Sequence, residues 1–199
     1  MKVSVSERLF QKASKWIKRN ARPLDAARWE YAFEEGSSDR VIHYLVAFQN
    51  EDGGFGHSIE PDFWLPLSSP MSTWAAGQIL VEIKADSKEP CVKELISYLI
   101  NTPQIEPGMW PSVLPENNQF PHAPWWEWKE GIQKSWMFNP SAELAAFLVI
   151  WSEEKSRASH IGWYSIKKAI NHLMNCSEMD MHEINNYQML YCQARNLRI

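Results

Sequence analysis

The stretch Q-N-E-D-G-G-F-G, Gln49 to Gly56, decides the fold. It closes an apolar run (Val41, Ile42, Tyr44, Leu45, Val46 and Phe48) and precedes a segment led by Pro70, P-M-S-T-W-A-A-G-Q-I-L. Apolar residues at helical spacing, stopped by paired glycines, predict a helix end followed by a tight corner. Gly53 and Gly54 supply backbone that takes positive φ without strain. Gln49 carries amide donors and an acceptor, enough to tie the corner to a neighbouring helix end. The expectation is a fold of repeated helical hairpins.

Working outward, the chain reads as helices separated by proline- and glycine-rich corners, with little strand alternation. Leu9, Ala13, Trp16 and Ile17 form an apolar stripe, and Pro23 then opens a second segment, since a helix start tolerates proline. A second hairpin runs from Asp39 to about Ile83. The third begins near Pro90, passes through a Trp/Pro-rich insertion and resumes at Asn139; the fourth begins near Gly162 and returns through Glu183 to Leu190. S-P-M-S-T-W-A-A at Ser69 aligns with N-P-S-A-E-L-A-A at Asn139, and Pro23 with Ala26 and Ala27 is a fainter copy. In both clear copies the residue before the proline, Ser69 or Asn139, is expected to cap the helix. This is degenerate internal repetition, and 199 residues make one domain, 1–199, the simplest reading.

Eleven tryptophans imply much rigid apolar surface, facing a core or a ligand. A net charge of −4 offers no electrostatic attraction to nucleic acid or to an anionic membrane. Cys91, Cys176 and Cys192 form no C-x-x-C pair, and their odd number suits buried thiols in a reducing compartment. No apolar run has the length of a signal peptide or a membrane span, so a cytoplasmic location is expected.

The corner, with Y-L-V-A-F-Q before it, resembles the glutamine/aromatic repeat of the squalene–hopene cyclases, found in modified form in protein prenyltransferase β-subunits. G-H-S-I-E-P-D, P-H-A-P-W-W and F-N-P-S-A resemble bacterial α/α-toroid proteins more closely still. The likeness runs from about Asp39 to Phe147, with Phe55 where the cyclase repeat usually has tryptophan. It implies an all-α fold in which helical hairpins form a partial α/α toroid around a cavity. Such toroids use about six hairpins and this chain supplies roughly four. The expectation is either an open arc whose exposed edge is covered by a partner subunit in a homo-oligomer, or a truncated version of a longer relative.

In a hairpin array the loops entering the inner helices emerge at one end, so polar groups far apart in sequence converge there. The candidates are Arg22 and Asp25; His57, Glu60 and Asp62; His122 and Glu127; Asn139 and Glu143; and Asp180, His182 and Glu183. H-S-I-E-P-D is the densest cluster. Asp62, assisted by Glu60 and His57, leads as a catalytic acid, because it joins a carboxyl, a second carboxyl and a proton-exchanging imidazole. The competing reading is that Asp62 and Glu60 cap helices while His57 satisfies a loop carbonyl. Trp64, Trp110, His122, Trp125, Trp126, Glu127 and Asn139 are the expected substrate-binding residues. The closely spaced Trp125, Trp126 and Trp128 cannot all face one core, so they wall a ligand or plug a loop.

A zinc site needs three or four matched ligands, available only if the fold gathers His57, Asp62, His122 and His182. No metal and no cofactor are expected. No phosphate-cradling loop, G-x-S-x-G elbow or D-x-D-D acid motif is present. Three functions remain open. The first is an enzyme resembling terpenoid cyclases and prenyltransferases, acting on a hydrophobic isoprenoid-type molecule by carboxylate proton donation in an aromatic cavity. The second is a carbohydrate-active toroid enzyme, lyase or hydrolase, and the third a non-catalytic binding module. A dry aromatic cavity favours the first, and an open, polar, tryptophan-floored cleft the second. The absence of any cavity favours the third.

Overall fold

A computed structural model describes residues 5–196, and these are all-α: nine helices, joined by loops that make isolated bridges and no strand among the described residues. The chain forms two compact units, Met1–Ala47 and Phe48–Ile199. No helix among the described residues is long and apolar enough to cross a membrane.

The first unit holds α1 (Glu7–Asn20), α2 (Pro23–Phe33) and α3 (Ser38–Leu45). Ser6 and Ser37 cap α1 and α3 by accepting from the backbone N–H groups of Leu9 and Arg40. Glu34 gathers the Ser14 hydroxyl, the Lys18 ammonium and the Trp29 indole N–H around one carboxylate. Arg22 and Asp25 pair with each other at 2.7 Å inside this unit.

The second unit contains α4 (Pro70–Glu82), α5 (Pro90–Asn101), the single turn α6 (Gln133–Trp136), α7 (Ser141–Ile150), α8 (Arg157–Asn175) and α9 (Met181–Asn196). Every residue of α7 from Ser141 to Leu148 is buried, Ser141 and Glu143 included, because α4, α5, α8 and α9 all pack on it. Two glycines let neighbouring helices close on α7. A Cβ on Gly77 of α4 would lie 2.2 Å from the Phe147 ring, and one on Gly162 of α8 would lie 2.8 Å from the Ala145 carbonyl oxygen. Gly162 is therefore a packing residue inside α8, which starts at Arg157 under a Ser156 cap, and not the helix start that its residue type suggests. At α7, Pro140 occupies the cap position and makes no side-chain cap bond. Asn139, expected as that cap, instead accepts from Asn186 of α9 at 2.9 Å.

In the Gly-rich corner only Gly53 of the paired glycines takes positive φ, whereas Gly54 is needed for its close approach to Ser68. Gln49 donates from one amide nitrogen to the Gly53 carbonyl at 2.9 Å and to the Cys91 carbonyl, in the first turn of α5, at 3.0 Å. Gly53 sits at φ 86°, where a Cβ would meet the Glu94 carbonyl oxygen at 2.2 Å. Phe55 is fully buried and its N–H is taken by the Thr73 hydroxyl of α4 at 3.1 Å. The corner thus joins α4 to α5. Gln49→Leu removes the shared donor from two carbonyls at nearly constant volume, and should cost about 2 kcal/mol in denaturant unfolding. A change within about 0.5 kcal/mol, the range of ordinary surface substitutions, would deny Gln49 this role.

Candidate functional site

Two loops of the second unit lie side by side. The Trp64 N–H donates to the Pro121 carbonyl at 2.9 Å, and the Ala123 N–H donates to the Asp62 carbonyl at 2.8 Å. This backbone pairing places E-P-D against P-W-W, and the Trp125 indole N–H reaches Asp62 Oδ2 at 3.0 Å. Phe63, Leu65, Met71, Val113 and Trp126 form a small core beneath the joined loops. The three clustered tryptophans do fan apart. Trp126 is buried 4.8 Å from Phe63 and stacks on Trp136, whereas Trp125 stays exposed.

A cavity of about 890 Å³ opens between the paired loops and helices α4, α7 and α9, all within the second unit. Six of the expected site residues line it: Glu60, Asp62, Trp125, Trp126, Glu127 and Asn139. Four stand outside its lining. His57 is bound through Nε2 to Asn50 Oδ1 at 2.8 Å, beside a backbone held at positive φ at both His57 and Ser58, so it serves the corner. Trp64 turns its indole N–H back to the Pro61 carbonyl. Trp110 is wholly buried, joining α5 to α7 through the Leu99 carbonyl and the Ser141 hydroxyl. His122 bonds the Phe120 carbonyl at 2.7 Å.

The deepest group in the cavity is Glu143, on the first turn of α7 and 0% exposed. Its Oε2 accepts from the Trp74 indole at 2.5 Å and from Gln78 at 3.1 Å, and its Oε1 accepts from Gln193 at 2.8 Å. Burial raises the carboxyl from 4.5 to about 7, opposed by those three neutral donors. No cation pairs with Glu143 among the described residues, so no positive charge offsets the effect of burial and its carboxyl holds a proton well above the usual carboxylate range. Such a group is poised for proton exchange. Below the cavity, burial likewise raises Glu183, against the Phe138 N–H at 3.2 Å and His172 at 3.3 Å.

Helix α9 closes the far wall with Asp180 just before its start, then His182, Asn185, Asn186 and Met189. Asp180 and His182 were among the groups expected to converge; Trp74, Gln78 and Gln193 were not. Their signal lay in helical spacing: Trp74 and Gln78 are four apart on α4, and Asn186, Met189 and Gln193 share a face of α9. Which face met Glu143 depended on tertiary packing.

Three cavity-lining residues hold buried polar atoms without a hydrogen-bond partner among the described residues: Asp62 Oδ1, Asn186 Oδ1 and Trp126 Nε1. Orphaned groups of this kind are rare and costly unless something else satisfies them. No group of three His, Cys, Asp or Glu among the described residues is placed to hold a metal ion. No family model, no curated protein and no solved structure matches the chain, and the cavity's own chemistry is what speaks for its function.

Proposed function

We propose that the cavity takes a saccharide-type small molecule and that Glu143 exchanges a proton with it as general acid or base, in a lyase or hydrolase reaction. The observation that carries this reading is a buried carboxyl near neutral pKa beneath a wall of tryptophans. A sugar ring presents an apolar face, which stacks on indole, and hydroxyls, which pair with amides and carboxylates. Exposed residues at the rim, among them Trp125, Glu127, Asp180 and His182, leave the cavity open to solvent. An all-hydrocarbon ligand would leave the polar wall unpaired, at a cost for every desolvated group. The likeness of the Gln49–Gly56 corner to α/α-toroid repeats supports a toroid-derived scaffold for this site.

A second reading, proton-initiated chemistry on an isoprenoid-type molecule, draws support from the stacked Trp126 and Trp136, 4.9 Å apart between ring centres. A panel of neutral oligosaccharides and unsaturated isoprenoid alcohols, read by thermal shift and by product analysis, separates the two. The saccharide reading expects a stabilising sugar, and Glu143→Gln should lower turnover by about 10²–10⁴-fold while binding persists. Stabilisation by the isoprenoid alcohols alone would transfer the site to the second reading.

A further inference from the structure

The cavity concentrates charge. Glu60, Asp62, Glu127, Glu143 and Asp180 line it against a single cation, Lys129. Counted formally that is −4, the net charge of the whole chain; taking five from 24 acids and one from 20 bases leaves 19 of each elsewhere. Glu143, whose carboxyl burial raises to about 7, supplies only part of that charge, and the wall still holds most of the protein's excess. Asp62, Glu127, Glu143 and Asp180 make no ion pair among the described residues.

Three residues of the wall also carry a partnerless polar atom, each reachable by a ligand once its neighbours shift. Asp62 Oδ1 and Asn186 Oδ1 are acceptors, so they call for a donor. Asn186 is 2% exposed, and its amide orientation is set by donation to the His182 carbonyl at 3.1 Å. Its oxygen is thus the half left over. Trp126 Nε1 is a donor and calls for an oxygen. An ammonium group supplies up to three donors and a positive charge, and indole faces attract such a cation. Trp74, Trp125, Trp126 and Trp136 all lie on the cavity wall.

We infer that the ligand is a polyhydroxylated amine, an amino sugar in its protonated form, selected over neutral and anionic sugars by the carboxylates and tryptophans of this wall. The inference rests on the saccharide reading and narrows it. A ligand carrying phosphate or carboxylate groups meets repulsion from the same wall, which holds it off.

Four probes at equal ionic strength test this by calorimetry: an oligomer of glucosamine, its N-acetylated counterpart, an oligomer of galacturonate, and tetramethylammonium. The expected result is binding of the glucosamine oligomer about tenfold tighter than the acetylated one, a preference worth about 1.4 kcal/mol. The galacturonate oligomer should not bind, and the preference should shrink as salt is raised. Asp62→Asn and the exposed Asp180→Asn should each reduce the ratio, and the second keeps the test decisive if the first disturbs the loops. Equal binding of the glucosamine and acetylated oligomers overturns the charge selection and leaves the saccharide reading standing. Binding of tetramethylammonium with no sugar keeps the cation preference and overturns the saccharide reading. Preference for galacturonate overturns the charge selection and leaves the saccharide reading standing, whereas silence from all four overturns both.

Discussion

Unfolding of the protein should become easier by about 3 kcal/mol, on account of Glu143 alone, as pH rises from 4.5 to about 7. The folded carboxyl keeps its proton to about 7, whereas in the unfolded chain it releases it near 4.5. Between those values the folded state binds more protons, so the stabilisation is complete below 4.5 and is lost as pH climbs through about 7. Glu183, also raised, adds in the same direction. Glu34 does not interfere, because Lys18, Ser14 and Trp29 hold it down to about 2, below the window. Glu143→Gln removes the titration. Gln193, which can turn its amide, offers the new carboxamide its partnerless Oε1 as acceptor. The variant should match the wild type near pH 4.5 and exceed it in stability at pH 8. Every other group is common to both proteins and cancels in the difference between their denaturant curves. Parallel curves for the two would show that Glu143 titrates in the ordinary carboxylate range.

Gly77→Ala should destabilise the protein by about 3 kcal/mol, the upper part of the usual range for overpacking. Two effects compete here. Alanine in place of a mid-helix glycine gains about 1 kcal/mol in helix propensity. The new methyl, however, would sit 2.2 Å from a ring carbon of Phe147, which is itself 0% exposed and packed on Trp151 with ring centres 5.3 Å apart. The ring has nowhere to retreat, so the clash wins. Phe147→Leu in the same chain makes room and should recover part of the loss, giving a coupling energy well outside additivity. A Gly77→Ala protein more stable than the wild type would mean that α4 and α7 do not approach as closely as described.

Helix starts marked by proline, such as Pro23, Pro70 and Pro90, were legible because φ of proline and the Ser69 hydroxyl act locally. The corner was legible for the same reason: Gly53 needs its positive φ wherever the chain goes next. Gly162 misled because its reason lies with Ala145 on another helix, and local rules treat a glycine as a breaker. In the site, E-P-D and P-W-W could be paired from repeat logic, since both loops precede matched helices. Trp110 could not be told from its neighbours, because residue type alone does not separate an indole that joins two helices from one that walls a cavity. The polar shell of Glu143 was least legible, since Trp74, Gln78 and Gln193 meet it only through the crossing of α4, α7 and α9.

Those bonds span long stretches of chain: 69 residues from Trp74 to Glu143, 50 from Glu143 to Gln193, and 63 from Asp62 to Trp125. Contacts of that separation carry a loop-closure cost that local helical contacts do not, so they are expected to form after the helices. The cavity is thus expected to complete late in folding, and a ligand filling it would favour chains that have reached that point. A ligand present during refolding draws the last closures forward by mass action, stabilising chains that have finished assembly over those that have not. If the proposed ligand binds there, its supply would help set how much folded protein accumulates, because the surface it meets is built from such distant contacts.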